Sequence, residues 1–222
     1  MTRFSQKITA ALILAAFSGL SCTPSPAQTT PRSTLLQFNF NDGKSWPDAW
    51  ADVMPNTPID LATTFEVKSG IGTPDAATKT ASPALLIGAE VGEVNLNWTA
   101  SYASGILAIN NPQTDLQRLK LSLNLSASAA KPIKVQIESF DAKKRRTGGL
   151  ETALMPKNAD IFEAFEVPLS DCKPFGDGKF RPDAAFVQFT FVLEAPIWTN
   201  QTTHQIRIDD LILTDSSPKL SP

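Results

Sequence analysis

The feature that most constrains the fold is an alternation of apolar and polar residues with a period of two. Apolar side chains occupy every second position in five runs, at residues 36–40, 94–98, 119–125, 133–137 and 187–193. Successive side chains of a β-strand point to opposite faces, so each run predicts a strand with one buried face. Turn-rich segments separate the runs, and no apolar pattern of helical period continues for three turns. The chain is therefore expected to contain about eight or nine strands.

Strands of this kind bury their apolar faces by packing two sheets against each other. Residues 35–215 are predicted to form a single domain, an all-β antiparallel β-sandwich of the jelly-roll type, and residues 216–222 a flexible tail. The composition suits this prediction, because 42% of the 222 residues are hydrophobic, which is enough for a large core.

The N-terminal segment, residues 1–27, has the features of a signal peptide. Arg3 and Lys7 form a positively charged region ahead of an apolar run, residues 8–17, that is too short to span a membrane. Two processing sites remain open. The sequence SGLSC resembles a bacterial lipoprotein signal and predicts lipidation of Cys22, whereas small residues favour cleavage after Ala27. Residues 28–34 would then form a Pro-, Ser- and Thr-rich tether.

This targeting segment predicts an exported protein, which is either an outer-membrane or cell-surface lipoprotein or a periplasmic or secreted protein. The formal net charge is −2, so neither a nucleic-acid surface nor a polybasic membrane patch is expected. A membrane would be reached only through the lipid anchor.

Side-chain chemistry argues against most kinds of enzyme. His204 is the single histidine, and the chain has no C-x-x-C or G-x-S-x-G sequence. The chain therefore lacks the ligands typical of a transition-metal site and the nucleophile motif typical of a triad hydrolase. Cys172 has no disulfide partner once Cys22 is acylated or removed. We therefore expect no catalytic residues. One enzymatic alternative is a glycan-active pair of outward carboxylates, for which Glu138 and Glu194 are the candidates.

The strand faces opposite the core carry rows of polar side chains. The candidate ligand-binding residues in these rows are Asn124, Lys134, Gln136, Glu138 and Gln188. Amide and charged groups in rows can exchange hydrogen bonds with the hydroxyls of a sugar chain. The alternative is an ordinary solvated sheet face.

The four tryptophans offer large flat rings that either fill a core or contact a ligand. Trp198 lies in the polar segment EAPIWTNQTTHQ, and we predict that it is an exposed ligand contact, with burial as the alternative. Trp98 shares the parity of its apolar run and is predicted to be buried. Of Trp46 and Trp50, at least one is predicted to fill the end of the sandwich.

The apolar residues of the closing segment IRIDDLILT change parity halfway along. Ile206 and Ile208 are even, whereas Leu211 and Leu213 are odd. Both pairs can face one core only if an extra residue is inserted between them, so a β-bulge is predicted at Asp209-Asp210.

Three segments resemble the carbohydrate-binding modules of the galactose-binding-like jelly-roll group. They are LLQFNFNDGKSW at residues 35–46, FEAFEVPLSDC at residues 162–172, and the stretch from residue 185 to residue 214 that ends in IDDLILT. The resemblance implies a non-catalytic, exported domain that binds a poly- or oligosaccharide. Two alternatives are a cell-surface sandwich that binds a protein partner and, less favoured, a glycan-active enzyme.

The same resemblance implies that the first and last strands pair antiparallel and that a structural calcium ion lies at the end of the sandwich. Carried over by position, its ligands would come from Asn41 or Asp42 and from Asp209 or Asp210. Calcium takes oxygen ligands of this kind. The alternative for Asp209 and Asp210 is a bulge whose carboxylates are solvated or accept from backbone N–H groups.

Overall fold

The computed structural model describes residues 33–54, 61–75, 77–91, 98–110, 115–195, 197–198 and 203–215. Within these ranges the chain forms short 3-10 helices at Leu116–Arg118 and Leu169–Asp171 and the following strands: β1 (Ser33–Phe38), β2 (Trp50–Met54), β3 (Leu61–Lys68), β4 (Ala84–Val91), β5 (Thr99–Ala103), β6 (Leu107–Ala108), β7 (Leu119–Ala127), β8 (Ile133–Phe140), β9 (Arg146–Leu154), β10 (Glu163–Pro168), β11 (Lys173–Phe175), β12 (Phe186–Glu194) and β13 (Thr203–Asp215).

These strands form two antiparallel sheets packed face to face. One sheet has six strands in the order β10-β7-β13-β4-β3, with β1 also paired to β13. The other has seven in the order β11-β9-β8-β12-β5-β2, with β6 also paired to β12. The predicted all-β sandwich is confirmed. Thirteen strands form in the described residues, more than the eight or nine expected. The shortest of them, β6 and β11, have two and three residues and are too short to give an alternating pattern.

The alternating apolar residues of β7, β8 and β12 fill the space between the sheets, and each is at most 2% exposed. Trp46 is 3% exposed and stacks on Phe191, with ring centroids 6.0 Å apart. Trp98 is 1% exposed. The predicted burial of Trp98 and of one member of the Trp46 and Trp50 pair is confirmed. Such close packing makes the core sensitive to loss of a ring.

Tyr102 links the two sheets through a buried hydrogen bond. It lies on β5 of the seven-stranded sheet and donates its hydroxyl to the carbonyl oxygen of Gly88 on β4 of the six-stranded sheet. Burial raises the pKa of this hydroxyl. The phenol therefore stays neutral and remains a donor at physiological pH.

The predicted bulge is present in β13. From Asp209 to Ile212 the strand takes three steps, whereas β7 takes two, from Asn124 to Ser122. Asp210 adopts a φ of 50° at this point. The extra residue restores the inward direction of the second half of the strand. All four apolar residues around it are 0% exposed: Ile206, Ile208, Leu211 and Leu213.

The two ends of the described fold lie side by side, because β1 pairs antiparallel with β13 in the register Ser33 to Asp215. Ser33 and Thr34 were predicted to belong to the tether, and this is wrong. Their backbone groups pair with β13, and such pairing does not require apolar side chains. Cys22, the rest of residues 1–32 and the tail at 216–222 lie outside the described residues. No helix in the described ranges is both long enough and apolar enough to cross a membrane.

Candidate functional site

Pairing of β8 with β12 brings four of the predicted ligand-binding residues together on one strand pair. Gln136 is opposite Thr190, and Glu138 is opposite Gln188. Lys134 lies two residues before Gln136 on the same face. All of them alternate with buried residues, so they face away from the core. We call this outer surface of the seven-stranded sheet the polar face.

The polar face continues across β5 to β2 and ends at an exposed aromatic ring. Thr190 is opposite Ala103, and Ala103 is opposite Trp50 on the edge strand β2. One row across the sheet therefore runs from Gln136 through Thr190 and Ala103 to Trp50. The Trp50 side chain is 44% exposed. The sequence did not single out Trp50 as a candidate ligand contact, although Trp50, Asp52 and Met54 alternate with smaller residues as an outer face would.

The residues at the centre of the polar face have little contact with solvent. Thr190 is 6% exposed, Val192 is 5% and Ala103 is 0%, although all three point away from the core. Residues on a flat, solvated sheet face would be more open to water. Gln188 is also buried, and its side-chain amide donates to the carbonyl oxygen of Ser104 at 2.7 Å. Neighbouring protein atoms therefore cover most of the surface of these residues.

Polar contacts hold several side chains of this face in place. Lys134 forms an ion pair with Glu194 at 2.8 Å, and the Gln136 amide donates to the carboxylate of Glu151 at 2.8 Å. A cavity of about 190 Å³ adjoins them, lined by Lys134, Glu151, Thr152, Ala153, Asp171 and Lys173. These contacts fix the orientation of the Lys134 and Gln136 side chains, and such fixed groups lower the entropic cost of binding where a ligand uses them.

Arg146 fixes the border of the polar face near β11. Its guanidinium forms an ion pair with Glu138, donates to the carbonyl oxygen of Phe175 at 3.0 Å, and lies 5.8 Å from the Phe175 ring centroid. It also donates to the carbonyl oxygen of Asp177 at 2.5 Å. The planar guanidinium of Arg146 therefore holds both β11 and the turn that follows it.

The prediction that Trp198 is exposed is wrong. Its ring is 1% exposed, its Nε1 donates to the carbonyl oxygen of Pro132 at 3.2 Å, and it meets the His204 ring edge to face at 5.1 Å. The polar neighbours of Trp198 in sequence suggested a solvated loop. Burial of a large apolar ring outweighs that local polarity, because the indole N–H finds an acceptor inside.

Asn124 does not belong to the polar face, which corrects a second prediction. It lies on β7, and β7 is part of the six-stranded sheet on the other side of the sandwich. Its amide donates to the Asp210 carboxylate at 3.1 Å. Alternation along a strand defines its two faces but does not identify the sheet to which it belongs.

The oxygen atoms proposed as calcium ligands accept hydrogen bonds within the protein. Oδ2 of Asp209 accepts from the Thr73 N–H at 3.0 Å and the Ser82 hydroxyl at 2.7 Å, and Oδ1 accepts from the Asp210 N–H. Asp42 is exposed, and its Oδ1 accepts from the Lys44 N–H. Within the described residues, no group of three His, Cys, Asp or Glu side chains could hold a metal. Calcium with Asn41 or Asp42 therefore stays a prediction from resemblance alone.

Burial, together with the adjacent charge of Asp209, raises the pKa of the Asp210 carboxyl. The bulge therefore places two carboxylates side by side. Hydrogen-bond donors of the protein stabilise both of them: Thr73, Ser82 and the Asp210 N–H donate to Asp209, and Asn124 donates to Asp210. For Asp209 this matches the alternative in which the bulge carboxylates accept from backbone N–H groups.

The carboxylates proposed for the enzymatic alternative lie too far apart. Glu138 is opposite Gln188, and Glu194 is six residues further along β12, which places the two backbone positions about 20 Å apart. Acid and base pairs of glycosidases are about 5–10 Å apart. Burial raises the pKa of the Cys172 thiol to about 11, so the thiol stays protonated at neutral pH.

Comparison with known proteins gives matches in structure. No protein-family model and no curated protein sequence matches the chain. A family 11 carbohydrate-binding module from Clostridium thermocellum, solved with a β-1,3-1,4-mixed-linked tetrasaccharide, matches with a TM-score of 0.52 and 12% identity over 82% of this chain and 96% of that chain. A family 30 carbohydrate-binding module matches with a TM-score of 0.51 and 11% identity over 82% of this chain and 99% of that chain. At these identities the likeness is one of fold, and the chain has the jelly-roll β-sandwich fold of these modules.

Proposed function

We propose that this protein is a non-catalytic carbohydrate-binding domain that holds an oligosaccharide on the polar face. The observation that carries the proposal is the row in which exposed Trp50 is aligned with Thr190 and Gln136. The fold shared with carbohydrate-binding modules supports it. Trp50 here takes the stacking role that the sequence had suggested for Trp198.

The dimensions and chemistry of the row suit a chain of sugars. Trp50 and Gln136 are three strand spacings apart, about 14 Å, which accommodates an oligosaccharide lying across the strands. The indole ring offers a flat apolar surface at one end. Thr190 and Gln136 offer hydroxyl and amide groups, which both donate and accept hydrogen bonds.

A protein-binding surface is less well supported. Such a surface needs a contiguous exposed apolar patch. On β2 the exposed Trp50 and Met54 are separated by Asp52, which lies on the same face. On the neighbouring strands β5 and β12, this face carries the polar residues Ser101 and Thr190. Isolated apolar groups among polar ones favour sugar recognition.

Binding to a glycan panel that includes the mixed-linked tetrasaccharide tests the proposal. Affinity is expected in the micromolar to millimolar range, because a shallow polar surface exchanges water hydrogen bonds for sugar hydrogen bonds at little net gain. Trp50→Ala should weaken binding about tenfold through loss of stacking. Gln136→Ala should weaken it by a smaller factor. Calorimetry or affinity electrophoresis would measure both.

Asn124→Ala is the matched control, because it removes the same amide from the opposite sheet. It should leave binding at the polar face unchanged, read from the nuclear magnetic resonance signals of Trp50 and Gln136. Equal binding by wild type and Trp50→Ala would place the site elsewhere. If no glycan binds at all, the proposal fails and a protein partner becomes the better hypothesis.

We also propose that the domain is exported and tethered at its N-terminus. Mass spectrometry of the protein isolated from its native cells should give a mature chain that begins at lipidated Cys22 or at Gln28. Cys22→Ala should abolish membrane association if the first site is used. A chain that retains Met1, or one found in the cytoplasm, would contradict export.

A further inference from the structure

A second cleft opens on the outer side of the six-stranded sheet, opposite the polar face. It encloses about 500 Å³, a size typical of small-molecule sites. One wall is formed by residues 70–74 and Ala81, the other by residues 160–162, and Arg207 of β13 lies between them. We call it the Arg207 cleft.

Arg207 is held firmly at the floor of this cleft. Its Nη2 donates to the Ser126 hydroxyl at 2.8 Å and to the carbonyl and carboxylate oxygens of Asp160 at 3.1 Å each. The guanidinium carbon lies 5.6 Å from the ring centroid of Phe162. All of these hydrogen bonds to described residues are donated by Nη2, which is one of the three guanidinium nitrogens. The side chain is 26% exposed, so further N–H groups can reach a ligand.

Both walls are anchored to the sheet. On one side, Asp209 of β13 accepts from Thr73 and Ser82. A Cβ atom on Gly72 would lie 2.9 Å from the Asp209 carboxylate, so this wall fits closely against β13. On the other side, the Asp160 N–H donates to the carbonyl oxygen of Ala127 at 2.7 Å. The cleft is therefore preformed.

The charges in the cleft favour a neutral ligand. The Arg207 cation is matched by Asp160, and a further carboxylate, Asp209, lies behind Thr73, so a free anion gains little. A cation would meet the guanidinium. The adjacent Arg207 and Asp160 instead offer a donor beside an acceptor, an arrangement that can bind neighbouring hydroxyls of one ring. Ile161, which is 55% exposed, and the partly buried Ile71 supply apolar contacts.

We propose that the Arg207 cleft is a second saccharide-binding site, specific for a neutral sugar ring. Hydroxyls accept from the free N–H groups of Arg207 and donate to Asp160, while the apolar C–H edge of the ring contacts Ile161. This inference goes beyond the proposed function and does not depend on the polar face. Two sites on opposite sides let one domain contact two glycan chains, which raises avidity without a new contact at either site.

Nuclear magnetic resonance of the ¹⁵N-labelled domain tests the two sites separately. The probes are neutral oligosaccharides of glucose, galactose, mannose and xylose, together with the mixed-linked tetrasaccharide. Binding in the cleft should shift the amide signals of Gly70, Gly72 and Ile161 saturably. Binding on the polar face should shift the Trp50 indole signal and the Gln136 signals.

Arg207→Lys keeps the charge but removes the planar fork, and should weaken the cleft response at least tenfold. Ile161→Ala should weaken it several-fold. The matched control is Met155→Ala, since Met155 is 56% exposed and does not line the cleft. The spectra of all variants report whether the fold is intact.

The outcomes separate this inference from the proposed function. If glycans shift the polar-face signals but never the cleft signals, the second site is overturned and the proposed function stands. If they shift only the cleft signals, the polar face is overturned and the second site stands. A cleft response unchanged by both Arg207→Lys and Ile161→Ala would also contradict the inference.

Discussion

Replacing Trp198 with alanine is expected to lower the free energy of unfolding by about 3–5 kcal/mol, the range for deleting a buried aromatic ring. The ring is 1% exposed and packs edge to face on His204. Its removal leaves a cavity and also leaves the Pro132 carbonyl oxygen without the indole donor. Urea denaturation followed by circular dichroism would measure the loss.

Trp198→Phe separates stability from binding if the alanine variant fails to fold. It retains an aromatic ring and loses the N–H, so the expected cost is about 1–3 kcal/mol. Glycan affinity should stay within about twofold of wild type, because the ring does not reach either outer face. A folded Trp198→Phe protein that no longer binds glycan would restore Trp198 as a ligand contact and contradict its burial.

Replacing Asp209 with alanine is expected to lower the free energy of unfolding by about 3 kcal/mol. Its carboxylate is 2% exposed and accepts hydrogen bonds from Thr73 and Ser82, which lie in the connection between β3 and β4. Without it, the Thr73 N–H and the Ser82 hydroxyl lose a charged acceptor within the protein. Thermal and urea denaturation would measure the effect. Hydrogen exchange at residues 72–82 should also become faster.

Asp42→Ala is the matched control, because Asp42 is exposed and its contacts are local. It should change stability far less than Asp209→Ala. Both proteins should be melted with calcium and with a chelator. From the hydrogen bonds at Asp209 we expect the same melting temperature in the two conditions. A rise with calcium that both variants abolish would establish the ion predicted from resemblance, since a bound ion stabilises the folded state.

The strands and the bulge could be predicted from the sequence because both depend on local periodicity. The alternation over residues 119–125 and 133–137 defined buried faces that the structure confirms. The parity change around Asp209-Asp210 required one extra residue, and β13 contains it. Side-chain direction repeats every two residues along any strand, so these features need no knowledge of the neighbouring chain.

The position of each polar row was decided only by tertiary structure. Gln136 and Gln188 lie on paired strands, whereas Asn124 lies on the opposite sheet, yet all three show the same alternation. Strand neighbours are set by pairings between distant segments, which local periodicity does not encode. The row that links Trp50 to Gln136 likewise exists only because β5 joins β2 to β12.

The sequence by itself determined an all-β sandwich, the inward residues of its alternating strands and the bulge in its last strand. Tertiary structure alone decided that Trp198 is buried, that Trp50 is exposed, and that Asp209 accepts from Thr73, which lies 136 residues earlier in the chain. Whether a ring or a carboxylate meets water or protein depends on which distant segment packs over it. Burial of apolar area and pairing of buried polar groups settle that choice across the whole fold.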